Sequence, residues 1–72
     1  LLARGDAAPA LEHYRAVLRR EPGSPAAHAN FASAALALGE LAPAEAALRE
    51  SLRLDPSQPG VRRALQQLES GR

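Results

Sequence analysis

The stretch Gly39-Glu40-Leu41-Ala42-Pro43-Ala44-Glu45 is close to a second copy of Gly5-Asp6-Ala7-Ala8-Pro9-Ala10-Leu11, with the glycines, the prolines and Ala10/Ala44 each set 34 residues apart. The same offset joins Leu18 to Leu52, Arg19 to Arg53, Glu21-Pro22 to Asp55-Pro56 and Ser24-Pro25 to Gln58-Pro59. One period therefore governs most of the 72 residues. Self-similarity of this kind marks structural units that cannot bury an apolar face alone and do so by stacking on their neighbours.

The punctuation inside each period predicts helices. Ser24 is a good N-cap, and Pro25 suits a first helical turn, where its missing N–H is one of the donors left unpaired in any case. Residues 26–38 run without a breaker and are rich in alanine, the best helix former, until Gly39 stops them. A second helix starts near Ala42, tolerates Pro43 in its first turn, and continues through Ala44, Leu48 and Leu52 to Asp55-Pro56. Residues 7–20 repeat it: Ala7, Ala10, Leu11, Tyr14, Val17 and Leu18 make one face, while Glu12, Arg15, Arg19 and Arg20 lie largely on the other. Gly5-Asp6 reads as the stop and turn ahead of it. After Pro59, a stripe of Val61, Leu65 and Leu68 is flanked by Arg62, Arg63, Gln66, Gln67 and Glu69. The expectation is an all-α domain of four helices and no strand. Connections of about three to five residues fold each helix antiparallel to the last, giving stacked helical hairpins. Alanine at inward positions lets the helices approach closely.

Together the 34-residue period, Gly39, Ala44, the Leu48/Leu52 pair and the closing Asp55-Pro56 resemble the tetratricopeptide repeat. Phe31-Ala32 matches the bulky-then-small pair of that family's first helix (helix A), and Ala10 with Tyr14 matches the alanine and aromatic of its second (helix B). The chain departs from the pattern at His28, where a bulky residue is usual, and at Leu48, where an aromatic is usual. On this resemblance residues 1–4 are the tail of a helix A, residues 5–24 a lone helix B, residues 25–58 a complete repeat, and residues 59–70 a third helix A or a capping helix. All belong to one domain spanning 1–72.

The resemblance implies a function as well as a fold. Helix A of each such repeat lines a concave groove that takes an extended or helical segment of a partner protein. Carried over by position, Ala26, Ala29, Asn30, Ser33 and Ala37 line it from the complete repeat, and Arg63, Ala64 and Gln67 from the last helix. Asn30 offers both a donor and acceptor to a peptide backbone, and Arg63 with Gln67, one turn apart, can hold a carboxylate. The cationic clamp that some members close on acidic chain ends is missing, because its positions in the last repeat hold Gly60 and Ala64. The lone first helix B is expected to expose part of Leu11, Tyr14 and Leu18, a face on which two copies of the chain can associate.

Composition bounds the other classes. A net charge of +1 supplies no basic face for nucleic acid or an anionic membrane. No apolar run reaches the ~18 residues a membrane span needs. There is no cysteine, which suits a reducing, cytoplasmic setting. Ser24, Ser33, Ser51, Ser57 and Ser70 sit in no nucleophile elbow, and Glu12, Glu45, Glu50 and Glu69 are expected on solvated helix faces. His13 and His28 are too few ligands for a metal centre, so no metal or cofactor is implied. Arg4-Gly5-Asp6 spells an adhesion tripeptide, a three-residue match that chance explains, since Gly5-Asp6 already has a structural duty as helix stop and turn or cap. The first reading is a non-catalytic interaction or scaffolding module whose partner is another protein or peptide. Two alternatives are a repeat region of a larger enzyme, such as a glycosyltransferase or sulfotransferase, and a self-assembly module. The lysine-free, Ala/Arg/Leu-rich usage suggests a bacterial source, and the absence of an initiator Met suggests a piece of a longer protein.

Overall fold

A computed structural model describes the backbone of residues 4–71 and the side chains of residues 5–71. Four helices and no strand occur among the described residues: α1 (Arg4–Arg20), α2 (Pro25–Ala37), α3 (Leu41–Leu54) and α4 (Pro59–Ser70). The breaks fall where the local chemistry demands them. Ser24 Oγ accepts the Ala27 N–H at 3.2 Å and Pro25 opens α2. At the other end Gly39 takes φ 77°, a left-handed conformation that costs a residue with a Cβ. There the Glu40 N–H reaches the Ala35 carbonyl at 2.9 Å and the Gly39 N–H the Leu36 carbonyl at 3.0 Å, so the last carbonyls of α2 are satisfied as the chain reverses.

The α3–α4 connection is held by side chains. Asp55 Oδ1 accepts the backbone N–H and the hydroxyl of Ser57, at 3.0 and 2.7 Å. Gln58 Nε2 donates to the carbonyls of Ser51 and Asp55, at 2.9 and 2.7 Å, capping the end of α3. The Arg62 guanidinium donates to the Pro56 carbonyl at 2.5 Å.

Helix α2 packs on both α1 and α3, and α3 packs in turn on α4. Two observations say which side of α2 meets which neighbour. The Arg15 guanidinium of α1 lies 5.8 Å from the centre of the Phe31 ring, which turns the Ala27/Phe31/Ala34 stripe toward α1. Ser51 Oγ of α3 donates to the Pro25 carbonyl at 2.8 Å, which sets the Pro25 side of α2 against α3. The stripe Pro25/His28/Ala32/Ala35 therefore faces α3. Flanked on two sides, α2 is apolar around most of its girth.

The buried apolar residues are Ala7, Leu11, Ala27, Ala32, Ala34, Ala35, Ala44, Ala47 and Leu48. Alanine dominates this list, so the helices pack by close backbone approach, with Tyr14, Phe31, Leu36, Leu65 and Leu68 filling the margins. The overall extents of 28 × 27 × 17 Å are those of two helical layers. No described helix is long and apolar enough to cross a membrane.

Three sequence expectations are corrected. Gly5 and Asp6 lie inside α1 and form no stop or turn; the hydrogen bonds that fix Gly39 come from a preceding helix, and none precedes Gly5 among the described residues. Residues 1–3 of the expected helix A tail lie outside the described region. Glu45 is not on a solvated face: it is 5% exposed, with Arg49 Nη2 bonded both to it and to Glu69 of α4, at 3.0 Å each. Leu11, expected to be partly exposed, is 5% exposed in the core.

Candidate functional site

With two stripes of α2 committed to α1 and α3, a third remains, and it carries the residues assigned to the groove. Ala26, Asn30 and Ser33 are exposed, and Ala29 and Ala37 are half-buried. They recur at three- and four-residue intervals, so they form one continuous strip along the helix. On α4 the positions one period later are Gly60, Ala64 and Gln67, with Arg63 opposite Ala29 in the same register. Gly60, Arg63 and Gln67 are exposed and Ala64 half-buried. The two strips thus present the same positions of successive repeats.

The polar groups of these strips are uncommitted. Asn30, Ser33, Arg63 and Gln67 make no side-chain hydrogen bond or ion pair with another described residue. The neighbouring polar side chains contrast with them. Arg49 bridges Glu45 and Glu69, Arg53 holds Glu50 at 2.8 and 2.5 Å, Arg62 binds Pro56, and Ser51 with Gln58 ties α3 to α2. Chemically, the strips offer an amide with two donors and an acceptor, a hydroxyl, a second amide and a guanidinium, rising from a floor of alanine and glycine.

The polar network of α3 shapes its own charges. The hydrogen bond from Arg53 holds the Glu50 carboxyl below its ordinary range, outweighing the burial that pushes it up. Ser57 does the same for Asp55 through its hydroxyl and its backbone N–H. These groups brace the helix end and lie on a different element from the strips. The sequence reading did not anticipate either this bracing or the Glu45–Arg49–Glu69 chain. The repeat holds a signal for the latter, because Glu45 is matched one period earlier by Leu11, itself buried.

Of the residues assigned to self-association, Leu11 is inside the core, while Tyr14 and Leu18 are half-buried. Tyr14 stacks edge-on with His13 at 5.5 Å. His28 Nε2 is 2.8 Å from the Pro22 carbonyl. No group of three or more His, Cys, Asp or Glu able to hold a metal exists among the described residues. Ser51 is fully buried against the Pro25 carbonyl and Ser24 is spent as a cap. No curated protein and no solved structure matches the chain. A family model described as tetratricopeptide repeat matches residues 1–68.

Proposed function

The chain belongs to the tetratricopeptide repeat family, whose repeats generally mediate protein–protein interaction or scaffolding, and on that premise we propose that it holds a segment of a partner protein across the exposed strips of α2 and α4. The observation that carries this reading is the set of uncommitted polar groups, Asn30, Ser33, Arg63 and Gln67, standing over a small-residue floor. Elsewhere in the chain the arginines and amides of α3 and its connection to α4 are tied to other residues. The Asn30 amide is suited to pair with a peptide N–H and C=O together, which gives affinity without sequence preference. Arg63 and Gln67 favour a carboxylate on the partner, and the Ala26/Ala37 floor leaves room for one bulky apolar side chain. Affinity on such a surface is the sum of modest contacts, and the family is typically a non-catalytic interaction module.

Selection of displayed random peptides on the intact chain, followed by titration calorimetry, tests this. Selected peptides are expected to carry an acidic residue next to a large apolar one, and Arg63→Glu is expected to weaken them at least about tenfold, or about 1.4 kcal/mol. Peptides that bind Asn30→Ala and Arg63→Glu variants as tightly as the parent chain, or a selection that enriches nothing, would sink the reading.

A further inference from the structure

The arginines of α1 and α3 follow the 34-residue period, and their carboxylates do not. Arg49 and Arg53 of α3 are matched one period earlier by Arg15 and Arg19 of α1. In α3 three carboxylates answer them: Arg49 Nη2 bonds Glu45 and Glu69, and Arg53 bonds Glu50 through two nitrogens. The positions matching Glu45, Glu50 and Glu69 hold Leu11, Ala16 and Ala35, so α1 keeps the cations and lacks all three partners. Arg20 adds a further guanidinium where α3 has Leu54.

Little among the described residues engages these arginines. Arg15 meets Glu12 at 3.6 Å, an exposed ion pair without a hydrogen bond, which is weak and readily exchanged. Its guanidinium lies 5.8 Å from the centre of the Phe31 ring, a contact that steadies the head of the side chain and uses none of its N–H donors. Arg19 and Arg20 make no hydrogen bond or ion pair with another described residue. Their exposure does not depend on what precedes α1. Arg49 and Arg53 hold the same positions on a helix flanked on both sides, by α2 and α4, and their side chains are still 55% and 67% exposed.

We propose that Arg15, Arg19 and Arg20 form a docking face for an acidic segment of a partner protein, separate from the strips of α2 and α4, whose carboxylates take the place of those missing from α1. Arg15 and Arg19 are one helical turn apart, with about 5–6 Å between their Cβ atoms. Alternate residues of an extended segment are set about 6.5–7 Å apart on one side of the chain. Two acidic residues separated by one other therefore reach both guanidiniums, and each guanidinium can meet a carboxylate with two parallel N–H groups. Glu12 and Glu21 bound the positive run and hold it to fewer than two turns of helix. That is too short for the long array of phosphates presented by nucleic acid or an anionic bilayer, and it suits a short acidic stretch of protein.

NMR titration of the intact chain with a capped peptide of alternating Glu and Ala, followed at the arginine Nε–Hε signals, tests this. The Arg15 and Arg19 signals are expected to shift, and the affinity to fall as salt is raised. A peptide of alternating Gln and Ala is expected to shift neither. The double variant Arg15→Gln, Arg19→Gln is expected to weaken binding at least about tenfold. Arg53→Gln removes the matched arginine that is already paired and is expected to leave binding within about twofold. Ala16→Glu supplies Arg19 with the carboxylate that Glu50 gives Arg53, and is expected to lower the affinity by engaging Arg19 from within. Circular dichroism checks that each variant keeps its helices. Binding that survives Arg63→Glu supports the docking face on α1 and separates it from the reading of the strips. Signals that move only at Arg63 would place the acidic segment on those strips and overturn the proposal. Equal binding by the double variant overturns it as well, as does a short DNA duplex that engages the same arginines at lower concentration than the peptide.

Discussion

Helices α1 and α3 are written to one spacing, down to the shared glycine, prolines and alanine, yet they live in different surroundings. Helix α3 lies between α2 and α4, and Ala44, Leu48 and Ser51 are closed off from water. Helix α1 has α2 on one side, and the matched Ala10, Tyr14 and Val17 keep part of their surface. The difference teaches that a repeat's sequence specifies which faces are ready for burial, while the number of neighbours decides how much burial is realised. Stability in such a stack is a sum over interfaces, and the same side chain contributes differently at the centre and at the end.

Truncating the matched pair Leu48 and Tyr14 makes the strongest test of that statement. Leu48→Ala is expected to cost about 2–5 kcal/mol, the range for a buried leucine whose cavity cannot fully collapse. Tyr14→Ala removes the larger side chain but is expected to cost less than half as much, because Tyr14 already touches water. Urea denaturation followed by circular dichroism reads both. Equal losses would mean that α1 and α3 are equally enclosed in solution and would break the comparison.

A second comparison sets α2 against α4. Placing α4's residue in α2, as Ala32→Gln, buries an amide at a point of close helix approach. Overpacking by itself costs about 1–3 kcal/mol, and an unsatisfied amide adds a similar amount. The reverse change, Gln66→Ala, falls on an exposed position and is expected to stay within about 0.5 kcal/mol. The same denaturation curves check it; a tolerated Ala32→Gln would mean that α2 and α3 do not meet at that stripe.

Much of this was legible in the sequence, for identifiable reasons. Ser24-Pro25, Gly39 and Asp55-Pro56 act through backbone geometry that is local, so the boundaries of α2 and α3 follow from the residues themselves. The period added the order of stacking. What escaped is non-local. A helix's own polar and apolar faces cannot tell that Glu45 lies under the Arg49–Glu69 bridge from α4, or that Leu11 belongs to the core rather than to an open face. Gly5 looked like Gly39 because the residue is the same, but the turn at Gly39 depends on the carbonyls of Leu36 and Ala35 behind it. For the candidate site, the sequence marked Asn30, Ser33, Arg63 and Gln67 by position alone. That they bond to no other described residue follows from the packing of the helices, which the sequence does not carry.

The smallest expected effect concerns charge at the ends of the same two helices. At the close of α3, Arg53 holds Glu50 and Ser57 holds Asp55, and both carboxyls are lowered in the folded chain. One period earlier the corresponding positions are Ala16 and Gly23, so the end of α1 has neither contact. A carboxyl whose pKa is lower in the folded state contributes stability above its unfolded value, and that contribution disappears as pH falls through the lowered one. The window therefore opens near the ordinary carboxylate range of about pH 4 and extends below it. Below this window the last turn of α3 is expected to lose amide-exchange protection that it holds at neutral pH, beyond any change at the last turn of α1. In the double variant Glu50→Gln, Asp55→Asn the acid-dependent loss should flatten, because neither replacement titrates. If the parent and double variant lose protection in parallel as the pH falls, these two contacts do not brace the helix, and the difference between α1 and α3 is one of packing alone.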